Sequence, residues 1–174
     1  MNNTKWVIDP AHSEIQFKVR HMMIANVTGQ FNVFNASIDS PSDDLKNTQV
    51  SFNADVASID TNNDQRDNHL RSGDFFDAAQ FPEVTFTAND YDASTGKITG
   101  ALTIKGVTKT VSMNAEYHGT NKDPYGNIKA GFSLDGKINR TDFGLNWNAT
   151  LETGGFLVSE EVRINAELQF IKQV

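Results

Sequence analysis

Alternation of apolar and polar side chains every two residues is the feature of this sequence that most limits its fold. In residues 14–21, Ile15, Phe17 and Val19 alternate with charged or amide side chains. The same pattern recurs near residues 50–56, 84–89, 98–104, 111–117, 128–138 and 162–170. Because successive side chains of a β-strand point to opposite faces, each segment is predicted to be a strand with one buried and one solvated face. Such strands are typical of antiparallel sheets.

Interruptions of the pattern mark the expected connections between these strands. Turn-forming residues occur at 40–44, 93–96, 105–108 and 122–126. Between Val27 and Ile38 the alternation changes phase, which predicts a β-bulge near Asn32–Val33. No regular structure is predicted for residues 139–156.

The strand count favours an all-β fold in a single domain that spans residues 1–174. About eight strands can form one antiparallel sheet, and closing it into a β-barrel removes its exposed edges. A sandwich of two sheets is the alternative. A barrel of this size is either filled by its own side chains or able to hold one small ligand.

One polar segment favours a helix instead of a strand. Residues 62–74 contain no proline and predict a short helix near residues 63–72, with Asn62 or Asn63 as its N-cap and Gly73 as its end. Its charged residues form either a solvated helix face or a lock between the helix and the barrel rim, and the sequence leaves both open. These residues are Asp64, Arg66, Asp67, Arg71 and Asp74.

The charge balance excludes several classes of function. The chain has 22 acidic and 15 basic residues and a net charge of −7, which argues against nucleic-acid binding and against polybasic attraction to an anionic membrane. No run approaches the roughly 20 apolar residues of a transmembrane helix, so the chain is not expected to span a membrane. No apolar leader is visible, which predicts a cytoplasmic protein, or a periplasmic or extracellular one if a leader was removed.

Motifs for catalysis, metal binding or cofactor binding are not found. The chain has no cysteine, and its four histidines lack the spacing of metal ligands. His12 is expected to make a hydrogen bond within a turn, His21 to face inward, and His69 and His118 to be exposed. We therefore predict no catalytic residue, no metal and no cofactor.

The twelve phenylalanines bear on whether the barrel interior is solid. The predicted inner faces mix large residues such as Phe52 and Phe86 with small ones such as Ala54 and Ala166, which fits interdigitation in a solid core. The phenylalanines outside regular strands favour a cavity instead. Its mouth would be lined by Phe75, Phe76, Phe81 and Phe143.

Longer motifs make the sequence similar to a known family. They lie at residues 6–13, 17–21, 29–34, 58–86, 100–108, 140–144 and 158–164. The most specific is Arg-Asp-Asn-His-Leu-Arg-Ser-Gly-Asp-Phe-Phe-Asp at 66–77. In order and over nearly the whole chain, they resemble the YceI family of lipid-binding, lipocalin-like proteins.

This resemblance implies an extended eight-stranded antiparallel β-barrel, lipocalin-like, with a short helix over one end. It also implies a long-chain isoprenoid, an isoprenoid quinone or a similar amphiphile inside, and it makes a homodimer plausible. Together with the predicted inner faces, it gives the expected ligand-binding residues. They are Phe17, Val19, His21, Phe31, Phe34, Phe75, Phe76, Phe81, Phe132, Phe143, Trp147 and Ile164. For a phosphate or amide head group, Arg71 and Arg140 are the expected contacts, because arginine offers a bidentate fork.

The leading hypothesis is a protein that binds and sequesters or transports such a lipid and is not an enzyme. One alternative is a structural or interaction barrel whose core is filled by its own side chains. The other is an enzyme that acts on an isoprenoid substrate through His21 and carboxylates of the rim.

Overall fold

The computed structural model describes residues 3–41 and 48–173, so residues 42–44 of the turn predicted at 40–44 lie outside the described part. Nearly all of the regular structure there is β-sheet. The strands are β1 (Thr4–Ile8), β2 (Glu14–His21), β3 (Ala25–Phe31), β4 (Phe34–Ser40), β5 (Gln49–Asp55), β6 (Ile59–Asp60), β7 (Glu83–Asp92), β8 (Lys97–Ile104), β9 (Val107–Lys122), β10 (Ile128–Asn139) and β11 (Val158–Lys172). The helix α1 spans Asp64–Arg71.

Eight of these strands close into an antiparallel barrel. The order around the wall is β1, β4, β5, β7, β8, β9, β10 and β11, and β11 pairs back with β1. This closing seam is short, with Trp6 opposite Lys172 and Ile8 opposite Phe170. The closed eight-stranded barrel predicted from the sequence is therefore confirmed, and the two-sheet alternative is wrong.

The remaining strands extend the wall beyond the ring at one end. Strand β2 follows β1 after a 3-10 turn at Pro10–His12 and pairs with β11 and β3, and β3 pairs in turn with β6. We call this the helix end, because it carries α1, the β2–β3 hairpin and the loop formed by residues 144–157. The opposite end, which we call the packed end, carries the β7–β8 and β9–β10 turns.

The change of phase between Val27 and Ile38 has a different cause from the predicted bulge. Strand β3 ends at Phe31 and β4 begins at Phe34, and Asn32–Val33 form a bend between them. Strand β4 pairs with β1 and β5, whereas β3 pairs with β2 and β6. The phase therefore changes where the chain passes from the extension into the closed ring.

Side chains of α1 fasten the helix to β6 and its flanking residues. The Asn63 side chain accepts a hydrogen bond from the Arg66 backbone N–H at 2.9 Å and caps the helix, which confirms the predicted start, while Ser72 takes the C-cap position. Buried Asp67 accepts hydrogen bonds from the backbone and hydroxyl of Thr61, and Arg66 donates to the Thr61 hydroxyl. These charged side chains thus lock the helix to the barrel rather than forming only a solvated face.

The packed end is filled by its own side chains. Its buried cluster, which we call the packed cluster, consists of Trp6, Ile8, Ala36, Ile38, Ala130 and Phe170. Trp6 is only 2% exposed, and no atom in the described part of the chain accepts a hydrogen bond from its indole N–H. The bulk of Trp6 and Phe170 therefore closes this end of the barrel.

The barrel cavity as candidate functional site

A cavity of about 890 Å³ occupies the barrel interior from the helix end toward the packed cluster. Ligand sites of proteins usually have volumes of about 300–1,000 Å³, so this cavity lies near the upper end of that range. The prediction of a core filled by interdigitating side chains is therefore wrong for most of the barrel.

The exposure of the inward-facing strand residues shows where the space lies. Phe17, Val19, Phe132, Leu134 and Ile164 belong to the inner face, yet each is only partly buried, and each lines the cavity. Side chains at such positions in a solid core touch neighbours on every side and are fully buried. These five residues instead face open volume.

The mouth of the cavity lies at the helix end. Among the described lining residues, Arg20, Asn63 and Gln65 are the exposed ones. Arg20 lies near the end of β2, and Asn63 and Gln65 lie at the start of α1. The opening is therefore bordered by the β2–β3 hairpin and the helix.

An aromatic group joins the helix to the loop formed by residues 144–157. The His69 ring contacts Trp147 and Phe75 edge-on, with centroids 4.8 and 5.0 Å apart, and Phe75 lies 5.4 Å from Trp147. His69 Nε2 also lies 2.9 Å from an Asp74 carboxylate oxygen. The expectation that His69 is simply solvated is therefore wrong, because its ring forms part of the cavity wall.

A second aromatic group joins β2 and β3 to the segment that follows the helix. Phe17 and Phe31 have centroids 5.7 Å apart, and Phe31 contacts Phe76 edge-on at 6.2 Å. Gly29, the cross-strand partner of Phe17, gives that ring its space, because a β-carbon there would lie 2.8 Å from Phe17 Cε2. The glycine lets the ring lie flat against β3.

Arg140 fixes the loop that borders the cavity. Its guanidinium donates to the backbone carbonyls of Ser159, Leu145, Trp147 and Val158 at 2.8, 2.6, 3.0 and 3.2 Å. Burial lowers the pKa of this guanidinium from its usual value, and the charge of Glu160 opposes that shift. The buried cation thus uses most of its donors to hold backbone rather than a ligand.

The charged residues of the cavity wall are all basic. Arg20, Arg66 and Arg140 line it, and no aspartate or glutamate does so among the residues that the structure describes. This contrasts with the net charge of −7 for the whole chain. Uncharged polar side chains, among them Gln16, His21 and Gln65, complete the polar part of the wall.

Most of the residues predicted to bind the ligand lie together on the cavity wall. These are Phe17, Val19, His21, Phe31, Phe75, Phe76, Phe132, Trp147 and Ile164. Whether they bind a ligand stays a prediction.

Four predicted residues lie elsewhere. Phe34 packs against the packed cluster, Phe81 lies over Gly106 in the β8–β9 hairpin, and Phe143 is fully buried in the core behind the wall. The Arg71 guanidinium donates to the carbonyls of Ala57 and Ile59 and to the Asn68 side chain, so it anchors the helix. Their burial or engagement elsewhere removes them from the cavity wall.

The polar residues of the mouth were not predicted. Asn63, Gln65 and Arg66 line the cavity, but the helix sequence is polar on every side. Without an apolar stripe, nothing in the sequence indicates which side of α1 faces the opening. Only the position of the helix over the barrel supplies that information.

Fold and cavity together define a class of protein, the closed antiparallel barrels of lipocalin-like architecture that enclose an apolar cavity. The model of a family described as YceI-like domain matches residues 6–170. The chain therefore belongs to the YceI-like domain family, as its motifs predicted.

Relatives match over almost their full length. A UPF0312 protein of Staphylococcus aureus strain MSSA476 is 36% identical over 168 residues, which cover 96% of this chain and 97% of that protein. A UPF0312 protein of Staphylococcus epidermidis strain ATCC 12228 is 38% identical with the same coverage.

Solved structures share the fold. The crystal structure of Burkholderia cenocepacia BcnA matches with a TM-score of 0.79 and 25% identity, covering 93% of this chain and 98% of that one. That of the Campylobacter jejuni YCEI protein matches with a TM-score of 0.76 and 36% identity, covering 88% and 90%. A domain from Saccharophagus degradans, described as polyisoprenoid binding, matches with a TM-score of 0.70 and 18% identity, covering 97% and 98%, and shows the fold alone.

Proposed function

We propose that this protein binds a long-chain isoprenoid, or a similar apolar amphiphile, inside the barrel and sequesters or transports it. The observation that carries the proposal is the set of inward-facing residues, such as Phe132 and Ile164, that line open volume and remain partly exposed although they also pack against core residues. An apolar chain that filled this space would complete their burial. The polyisoprenoid binding stated for the Saccharophagus degradans domain supports the same class of ligand.

The energetics favour a long ligand over a short one. Burial of one methylene contributes about 0.8 kcal/mol, so a five-carbon isoprene unit contributes about 4 kcal/mol before costs. Association costs about 4–15 kcal/mol in lost freedom of motion. Several isoprene units therefore suffice for stable binding with few polar contacts, whereas one unit does not.

The polar mouth supports a ligand with an electron-rich or anionic head. Arg20, Arg66 and Gln65 place hydrogen-bond donors there, and carboxylates are absent from the wall in the described ranges. Arg140 remains a proposed contact through its position on the wall, although four carbonyls engage it. In this proposal Arg66 takes the role of head-group contact that the sequence suggested for Arg71, because Arg71 lies away from the cavity.

Native mass spectrometry of the purified protein, followed by organic extraction, tests this proposal. We expect a bound apolar mass that is released on denaturation and has the fragmentation pattern of a polyisoprenoid chain. A protein that carries no apolar mass, and that takes up no isoprenoid supplied in detergent, would refute the proposal.

Variants of the cavity wall test whether the ligand binds inside the cavity. Phe132→Arg introduces a charge among the apolar residues of the wall, and Phe75→Arg does so beside Trp147, so both should abolish lipid retention. Lys18→Glu, an exposed change on β2 away from the wall, should retain lipid. Circular dichroism checks that each variant is folded, and equal retention in all three would overturn the assignment.

We further propose that the ligand leaves the barrel chemically unchanged. An enzyme acting through His21 would need an acidic partner, and the described wall offers His21 no carboxylate. The mass of a supplied isoprenoid should stay the same after prolonged incubation with wild type. A new product that disappears in His21→Ala would contradict this part of the proposal.

A further inference from the structure

Large apolar side chains are exposed at the tips of two neighbouring connections at the helix end. Ile24 is 76% exposed, Met23 61% and Phe156 60%, and Met22 is also exposed. We call these four residues the apolar tip. Exposed apolar side chains that cluster, rather than lie singly, mark interaction surfaces.

The backbone of the β2–β3 turn is held in an unfavourable conformation. Met22 and Met23 have φ angles of 52° and 62°, in the left-handed region that favours glycine or asparagine. The Ile24 backbone N–H donates to the His21 carbonyl at 3.2 Å and closes the turn. Two methionines at these positions therefore cost stability, which points to a role outside folding.

The second connection packs against the first and forms one surface with it. Gly154 and Gly155 have φ angles of 88° and 86°, and a β-carbon on Gly155 would collide with the Met23 sulphur. The Met22 backbone N–H donates to the Leu157 carbonyl at 2.7 Å. Both connections are thus held side by side, so their apolar side chains project together.

The apolar tip adjoins the mouth of the cavity. Arg20 and Val158 line both the cavity and a small depression between Met23 and Phe156. His21 and Leu157, the chain neighbours of Met22 and Phe156, also line the cavity. An apolar ligand that leaves the mouth would therefore meet the apolar tip first.

The charge around the tip is mixed, because Arg20 and Glu160 both line the depression beside it. From Ile15 to Ile38 the chain has no aspartate or glutamate, but it has Lys18 and Arg20, whereas its total charge is −7. Phosphate groups at a lipid surface would therefore be attracted by Arg20 on the β2–β3 side of the tip, while Glu160 on the other side opposes that attraction.

We propose that the apolar tip inserts into the surface of a lipid bilayer and brings the cavity mouth against the membrane. This inference rests on the proposed function, since it supplies the path by which an isoprenoid passes between bilayer and barrel without crossing water. The tip consists of exposed, bulky apolar side chains, two of them flexible methionines, beside Arg20, which suits insertion among lipid head groups.

Flotation with phosphatidylcholine vesicles that contain no isoprenoid tests the inference. Wild type should float with the vesicles, and Ile24→Asp and Phe156→Asp should each lower the vesicle-bound ratio by about tenfold or more, because each replaces an inserted apolar side chain by a charge. Tyr125→Asp is the matched control. Tyr125 is 89% exposed but lies in the β9–β10 turn at the packed end, so this variant should bind vesicles like wild type.

Two further measurements separate the explanations. Uptake of a long-chain isoprenol from detergent micelles tests the cavity without a bilayer and should be equal in wild type and tip variants, whose thermal unfolding should also match. If wild type takes up the isoprenol but does not bind vesicles, the membrane inference is wrong and the proposed function stands. If wild type binds vesicles but takes up no isoprenol, the proposed function is wrong and only the binding of the tip to lipid stands. If wild type does not float and Ile24→Asp converts a dimer into a monomer in light scattering, the tip is a contact between two copies and the inference is wrong.

Discussion

The two ends of the barrel use the same alternating strands for opposite purposes. At the packed end, Trp6, Ile38 and Phe170 fill the interior and are buried. At the helix end, inward residues of the neighbouring strand segments, such as Phe17 and Ile164, remain partly exposed to open volume. Alternation therefore sets which face is apolar, while the size and placement of side chains decide whether that face encloses a core or a cavity.

The construction of the wall explains the difference. At the packed end β1 lies between β4 and β11, and Trp6 projects from it into the interior. Beyond the turn at Pro10–His12, β2 pairs with β11 in place of β1. Elsewhere on the rim, α1 covers the interior where the closed ring of strands ends. The extension adds wall, and its bulky inward side chains, Phe17 and Phe31, line the space within it without filling it.

The two tryptophans give the strongest test of this comparison, because one belongs to each end. Trp6→Ala empties the centre of the packed cluster and should lower the free energy of unfolding by about 3–5 kcal/mol. Trp147→Ala removes a cavity wall that is already partly exposed, so it should cost less than about 3 kcal/mol while it weakens lipid retention. Urea unfolding followed by circular dichroism measures both, and equal costs would refute the comparison.

The fluorescence of the two tryptophans also measures where the ligand binds. Trp6→Phe keeps an aromatic ring and removes, together with part of the ring bulk, an indole N–H that lacks a partner in the described part of the chain, so the packed end should tolerate it better than Trp6→Ala. Trp147 is then the only tryptophan, and its emission should shift to shorter wavelength when an isoprenoid fills the cavity. In Trp147→Phe, the emission of Trp6 should not respond, and a response there would place the ligand at the packed end.

Two inward alanines offer a second, smaller contrast. Ala130→Phe forces a ring into the packed cluster and should cost about 1–3 kcal/mol or more. Ala166→Phe places the same ring in the cavity, where space exists, and should cost less than about 1 kcal/mol. It should also shift the preferred ligand toward shorter isoprenoids, as measured by competition between chain lengths. Similar losses of stability in both variants would mean that the two ends are equally filled.

Much of the fold follows from local sequence signals. The two-residue period assigned inner and outer faces correctly along β7 and β11, because a half-buried strand has no other way to bury its apolar side chains, whereas in β2 Gln16 and Arg20 of the predicted outer face also line the cavity. Asn63 as N-cap was predictable because its side chain replaces a missing backbone acceptor at the helix start.

The arrangement of the site depends on geometry that no local signal carries. Phe143 and Trp147 lie in the same polar, glycine-containing segment, yet the first is buried behind the wall and the second lines it. Arg71 and Arg66 are both basic residues of α1, and only the docking of the helix decides which one reaches the cavity. Contacts between segments distant in sequence fix these outcomes.

The smallest predicted effect concerns an ion pair across the closing seam at the packed end. Lys129 Nζ in β10 lies 2.8 Å from Asp9 Oδ2, and His12 Nδ1 lies 2.7 Å from the same oxygen, which is the turn contact predicted for His12. The Lys129 hydrogen bond lowers the pKa of Asp9 most, with further lowering by His12 and the Ala11 backbone N–H, while burial opposes it. The seam thus favours the ionised carboxylate.

Because the pKa of Asp9 is lower in the folded state than in the unfolded chain, its contribution to stability is complete above the unfolded pKa of about 4. It is lost as the pH falls through the lower folded pKa. The difference in unfolding free energy between wild type and Asp9→Asn should therefore shrink from at most about 1 kcal/mol near pH 6 toward zero near pH 3. Asp135→Asn, an exposed change in the same strand as Lys129, should show no such convergence.

Acidification should also change the emission of Trp6 before that of Trp147, and the reverse order would mean that the mouth, not the seam, is the weaker end.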